Sequence, residues 1–159
     1  MDRAELIKCL SEIIGCKLVG FSLACEMMMF DFDKYAIHSQ CLTRVVKNGD
    51  ILFTTHDYQS WDGNIDTNND LWFFKDKYCN DIIGGSVLAA ELLTVNDLKI
   101  VMDNGITIEL FISNGYHHYD DENEQWRLIK KNPEYISSHS RNGFSLYHIV
   151  VNNKSIEVT

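Results

Sequence analysis

Residues 17–55 read KLVGFSLACEMMMFDFDKYAIHSQCLTRVVKNGDILFTT, and this stretch decides the fold. Apolar and β-branched residues fill 18–24, 27–32, 35–46 and 51–55, with Asp33-Lys34 and Asn48-Gly49 between them. Asn-Gly between two apolar runs is the strongest short hairpin signal, because both residues tolerate the positive φ that a tight type I′ turn demands. The stretch therefore predicts an antiparallel meander with strands over 18–24, 27–32, 35–46 and 51–55. N-terminal to it, Ala4, Leu6, Ile7, Leu10, Ile13 and Ile14 recur at three- and four-residue spacing, opposite Asp2, Glu5, Lys8 and Glu12. That is an amphipathic helix over 4–14, stopped by Gly15.

C-terminal to it, residues 56–69 read as a polar loop and 71–83 as a short helix. A second β pattern follows, with strands over 87–93, 98–102, 106–112 and 125–130 and a turn at Asp103-Asn104-Gly105. The tail, 144–151 and 155–158, predicts one more hairpin. Ile13-Ile14-Gly15 recurs as Ile82-Ile83-Gly84, after which 27–32 aligns with 98–103 and 35–40 with 106–111. The expected fold class is α+β: an N-terminal helix packed on antiparallel β-sheet, with two duplicated meanders that bury their apolar faces together. At 159 residues and with no linker-like tract, the chain is expected to form one globular domain over 1–159.

Charge is unevenly placed. Residues 48–74 and 100–126 hold eleven of the 23 acidic residues and none of the 14 Lys and Arg, within a net charge of −9. A localised negative field attracts a cationic partner and repels nucleic acid and anionic lipid. Tyr58 and Trp61 lie among Asp57, Asp62 and Asp66, and Tyr116 and Tyr119 lie beside Asp120, Asp121, Glu122 and Glu124. Aromatic side chains are favoured anchors at protein interfaces, so these eleven residues form the candidate partner-binding set. The alternative for the acids is solvated turn-forming loops, and for Trp61 a small satellite cluster under its own loop.

No reaction is spelled out. His117 and His118 are adjacent and point oppositely on extended chain, and no HExxH or HxH spacing occurs, so no metal site is expected. His38 and Cys41 fall on opposite faces of a strand, which separates them as a nucleophile and base. No GxGxxG or GxxxxGK[ST] motif is present, and no cofactor is expected. The five cysteines form no CxxC pair and are expected to be reduced and mostly buried. Residues 1–10 lack an apolar signal-peptide core and no run reaches membrane-spanning length, so a soluble, cytoplasmic protein is expected.

The motifs His38-x-Gln40-Cys41-x-x-Arg44, Asn96-Asp97-Leu98-x-Ile100, Asp103-Asn104-Gly105 and Glu124-Gln125-Trp126-Arg127-Leu128, in this order, resemble small bacterial toxin-immunity proteins, including those of contact-dependent growth inhibition. The resemblance covers 13–129 and carries over no binding residues. It implies a non-enzymatic protein that neutralises a cognate basic toxin, a nuclease first among candidates because a nuclease is cationic where it holds phosphate. Neither nucleic acid nor membrane is expected as a partner. Two alternatives are a small hydrolase or transferase between the meanders, using His38, Cys41, His117 and carboxylates, and a homo-oligomeric interaction module.

Overall fold

The computed structural model describes residues 1–113, 123–133 and 143–159. Helix α1 spans Arg3–Ser11, and Asp2 starts it with a reciprocal cap: its carboxylate accepts from the Glu5 N–H, and Glu5 accepts from the Asp2 N–H. The helix ends earlier than its apolar spacing suggested. Residues 12–15 form turns that close on Gly15, whose φ of +83° is open to glycine at little cost.

Strands β1 (Leu18–Ala24), β2 (Met27–Phe32) and β3 (Tyr35–Ser39) form the first meander, and β4 (Leu42–Lys47) and β5 (Asp50–Thr54) a hairpin on Asn48-Gly49. The continuous strand expected over 35–46 is two strands in different sheets. At Gln40 and Cys41 both N–H groups donate to the Gln125 carbonyl, and the chain there leaves one sheet for the other. Helix α2 spans Asp70–Ile82, capped by Asn69. Then come β6 (Val87–Leu92), β7 (Leu98–Met102), β8 (Ile106–Phe111), β9 (Glu124–Lys131), β10 (Ser145–Asn152) and β11 (Ile156–Val158). All described strand pairs are antiparallel.

The sheets have the orders β1-β2-β3-β9-β10-β11 and β6-β7-β8-β4-β5. Each half of the chain thus opens with a helix and gives three consecutive strands to one sheet, after which the first half adds the hairpin β4-β5, and the second half β9-β10-β11, to the other. The repeat read from Ile-Ile-Gly is visible at atomic level around an antiparallel bridge between Lys17 and Ser86. Gly15 N–H donates to the Val87 carbonyl and Gly84 N–H to that of Leu18, both at 2.8 Å. Val87 N–H donates to Cys16 O and Leu18 N–H to Gly85 O, both at 2.9 Å. Register shifts fall at equivalent places, between Leu18 and Gly20 and between Val87 and Ala89.

Alternate side chains of both sheets turn inward onto one hydrophobic cluster that includes Phe30, Phe53, Ile100, Ile108, Trp126 and Leu128. Phe21 of β1 stacks on Phe53 of β5 with ring centroids 5.7 Å apart, so two open sheet edges meet there. Helix α2 packs against both of those strands. Helix α1 does the equivalent elsewhere, packing on β6 while the Met1 amino group donates to Ile156 O of β11. Covering open edges in this way removes unpaired backbone from solvent. The cysteines are less buried than expected: Cys16 and Cys41 are buried, Cys9 and Cys79 only half-buried, and Cys25 is exposed at the β1–β2 turn with φ +51°. All five are free.

Candidate functional site

The first acidic stretch folds into a well-braced surface. Where β5 ends, Thr54 and Asp57 cap a tight 3-10 turn over Thr55–Ser60: Thr54 Oγ1 accepts from His56 N–H and the Asp57 carboxylate from Thr54 N–H. Asp62 then organises the loop, accepting from the N–H groups of Asn64 and Ile65 and from Asn68 Nδ2. Those donors, the Asn64 amide first, hold its carboxyl below the ordinary value, so the charge persists into mild acid. The Trp61 indole donates to Ile65 O at 2.7 Å and packs, tilted by 35°, against half-buried Tyr58 with ring centroids 5.7 Å apart. The loop closes on α2 through Asp70 N–H to Ser60 Oγ, 2.7 Å, and Trp72 Nε1 ties α2 to Cys25 O.

This bracing leaves apolar groups in water. Trp61 is 38 % exposed, Ile65 62 % and Phe73 62 %. Between the loop and α2 lies an open concavity of about 510 Å³, bordered by Ser60, Asn68, Asp70, Trp72, Phe73 and Asp76. Asp70 is exposed at its border, and Asp62 and Asp66 are exposed on the loop that leads to it. Two bases of α2 lie close by: Lys75, paired with Asp76 at 2.9 Å and lying over the Trp72 ring, and exposed Lys77, one turn from Phe73. Asp66, Trp61 and Asp62 are therefore exposed on one braced loop, whereas Asp57 is chiefly a turn cap and Tyr58 a support for Trp61. The apolar members Ile65 and Phe73 escaped the sequence reading. For Phe73 the signal was positional: with Leu71, Phe74, Tyr78 and Ile82 as the inward face of α2, it falls on the opposite, charged face with Asp76, Lys77 and Asn80.

The second acidic stretch is partly neutralised. Asp103 accepts from Ser86 N–H at 2.8 Å, Glu109 pairs with Arg44 at 2.7 Å, and Glu124 forms a two-pronged pair with Arg127. Folding brings Arg44 and Arg127 from outside the base-free segments, which a count along the chain does not register. Glu124 is thus engaged within the sheet and its side chain is only 17 % exposed. Tyr116, Tyr119, Asp120, Asp121 and Glu122, with His117, lie outside the described residues.

Residues of both stretches do meet at the sheet crossing. Glu26, Gln40, Cys41 and Leu42 border two adjoining clefts of about 460 and 170 Å³. Ser113, Asn123 and Glu124 flank the larger, and Thr55, His56 and Gln59 the smaller. The Cys41 thiol sits beside Ser39 Oγ at 3.4 Å, and burial pushes its pKa up, which favours the poorly nucleophilic thiol. His38 is on the opposite sheet face, opposite Arg127, as strand alternation requires. A second histidine, His148, contacts Ser145 Oγ through Nε2 at 2.7 Å. Its Nδ1 faces Arg127 Nη1 at 3.3 Å, and an arginine only donates. Neutral His148 therefore carries its proton on Nε2 and donates to Ser145, so it cannot take a proton from that hydroxyl, and its lone pair is turned to Arg127. Among the described residues, no group of three His, Cys, Asp or Glu side chains is placed to hold a metal ion.

Comparisons with protein-family models, curated proteins and solved structures return no match for this chain. No described helix is long and apolar enough to cross a membrane.

Proposed function

We propose that this chain is a non-enzymatic, cytoplasmic immunity protein that binds a cognate basic toxin domain, a nuclease first among candidates, and blocks it. The observation that carries the reading is the braced loop with the first turn of α2, where Trp61, Ile65 and Phe73 stand in solvent near Asp62, Asp66 and Asp70. Exposed apolar anchors beside an excess of acidic groups are the surface a cationic partner fits: charge speeds and selects encounter, and desolvated aromatics supply affinity. The motif resemblance supplies the word immunity, and the surface supplies only the character of the partner. A catalytic reading of the Cys41 cleft is less well supported, since its thiol is protonated and neither His38 nor His148 is placed as its base.

The test is binding to the basic C-terminal domain of a toxin encoded beside this gene. Trp61→Ala and Phe73→Ala should each weaken binding by about thirtyfold, the equivalent of about 2 kcal/mol at a true anchor. Glu157→Gln, on exposed β11, should leave it unchanged. Equal affinity for all four proteins, wild type included, would remove this surface from the account.

A further inference from the structure

The outward face of the five-stranded sheet carries a row of alternating charge. Register places Glu91 of β6 opposite Lys99 of β7, Lys99 opposite Glu109 of β8, and Glu109 opposite Arg44 of β4. Directly opposed residues share a face, so the four form a line across the strands reading minus, plus, minus, plus. Beside it runs a second row, Ala89, Val101, Thr107 and Val46, with no charge at all. The side chains alternating with these rows, including Val45, Leu98, Ile100, Ile108 and Leu110, are buried in the core, so the charged line faces outward. No described helix packs over it: α1 lies on β6 and α2 on β1 and β5.

An alternating row with an even number of charges has a particular symmetry. Turned end for end, it presents plus where it had minus. We propose that this face is an isologous dimer interface that docks a second copy of the chain, with the twofold axis parallel to the strands and passing between β7 and β8. That operation sets Glu91 against Arg44 of the other copy and Lys99 against its Glu109, each pair occurring twice. The uncharged row meets itself, Ala89 against Val46 and Val101 against Thr107. Stacked sheets cross at about 30°, and the outer charges lie about 7 Å from the axis, so the twist displaces them by only about 4 Å, within reach of Arg and Glu side chains. The Arg44–Glu109 pair is already formed at 2.7 Å in the monomer, so half of the row enters the contact with its charges held in place, while Glu91 and Lys99 are the ones that gain partners across it. Four strands span only about 19 Å, which places the interface at the small end of the specific range and makes assembly concentration-dependent.

The surface around Trp61 plays no part in this contact, and the two ideas stand or fall separately. Sedimentation equilibrium of the wild-type chain should show its weight-average mass rising from 18.4 kDa toward twice that value at concentrations up to a few hundred micromolar. Lys99→Glu alone sets Glu against Glu twice across the dyad, and Glu109→Lys alone sets Lys against Lys; each variant, shown folded by circular dichroism, should stay monomeric. Mixed in equal amounts, the two variants restore both opposite pairs and should associate about tenfold or more tightly than either alone. A wild type monomeric throughout, or a mixture that associates no better than its components, would overturn the proposal; a misfolded variant cannot mimic the restoration.

Discussion

At the residue scale, local conformation and side-chain reach decide the most specific features. Val95 has φ +53°, a region where a β-branched side chain crowds its own carbonyl, and it is 67 % exposed, so burial does not compensate. Asn96 follows at φ +67°, and the turn is held by Arg3, which donates to Leu92 O and Asn96 Oδ1. Val95→Asn should therefore raise stability by about 1 kcal/mol, read from urea or thermal midpoints; a lower midpoint would show that Val95 makes a contact worth more than its strain. Thiol chemistry is set in the same local way. Burial pushes Cys16 up to about 11 and raises Cys41, whereas Cys25 stands exposed at a hairpin tip. A thiol reagent should modify Cys25 first and the buried pair only on unfolding; rapid labelling of Cys41 would contradict its protonated, covered state.

At the element scale, turn chemistry was legible and sheet changes were not. Asp33-Lys34, Asn48-Gly49 and Asp103-Asn104-Gly105 each sit at a hairpin because their residues suit turns. The crossing at Gln40–Cys41 carries no glycine or proline, and residues on both sides have strand character, so hydrophobic patterning runs through it unbroken. Phe73 was missed for a related reason: its aromatic character suggested burial, and only the phase of α2 shows that it points outward. The outer face of the six-stranded sheet adds a pH dependence. Burial, then the nearby Arg127 guanidinium, lowers the pKa of both His38 and His148, with Glu124 opposing and Asp31 opposing at His38. Groups kept neutral in the fold but free to protonate when unfolded contribute stability above about pH 6.5 and lose it as pH falls toward the depressed folded values. The unfolding midpoint should fall between neutral pH and pH about 5, and His38→Gln with His148→Gln should flatten that fall; an unchanged slope would assign it to other groups.

At the scale of the whole molecule, the repeat was readable from Ile-Ile-Gly and its consequence was not. Strand patterns say which segments pair locally, but the exchange of β4-β5 and β9-β10-β11 between sheets depends on β3 pairing β9 and β8 pairing β4. Each half completes the other's sheet, so a chain divided within the exposed loop 61–68 should yield fragments that are unstructured alone and recover native circular dichroism when mixed. A fragment that unfolded cooperatively by itself would show that the halves are self-sufficient. The acidic loop is also the hinge between the halves in sequence, and its charge is the centre of the functional account. That account is tested most directly by the association rate with the basic toxin domain as salt is raised. As the Debye length shrinks from about 30 Å at 0.01 M to about 8 Å at 0.15 M, the wild-type rate should drop by about tenfold or more. The combined Asp62→Asn, Asp66→Asn and Asp70→Asn variant should start slower and respond weakly. A rate that ignores both salt and these three carboxylates would contradict the claim that this surface receives a cationic partner.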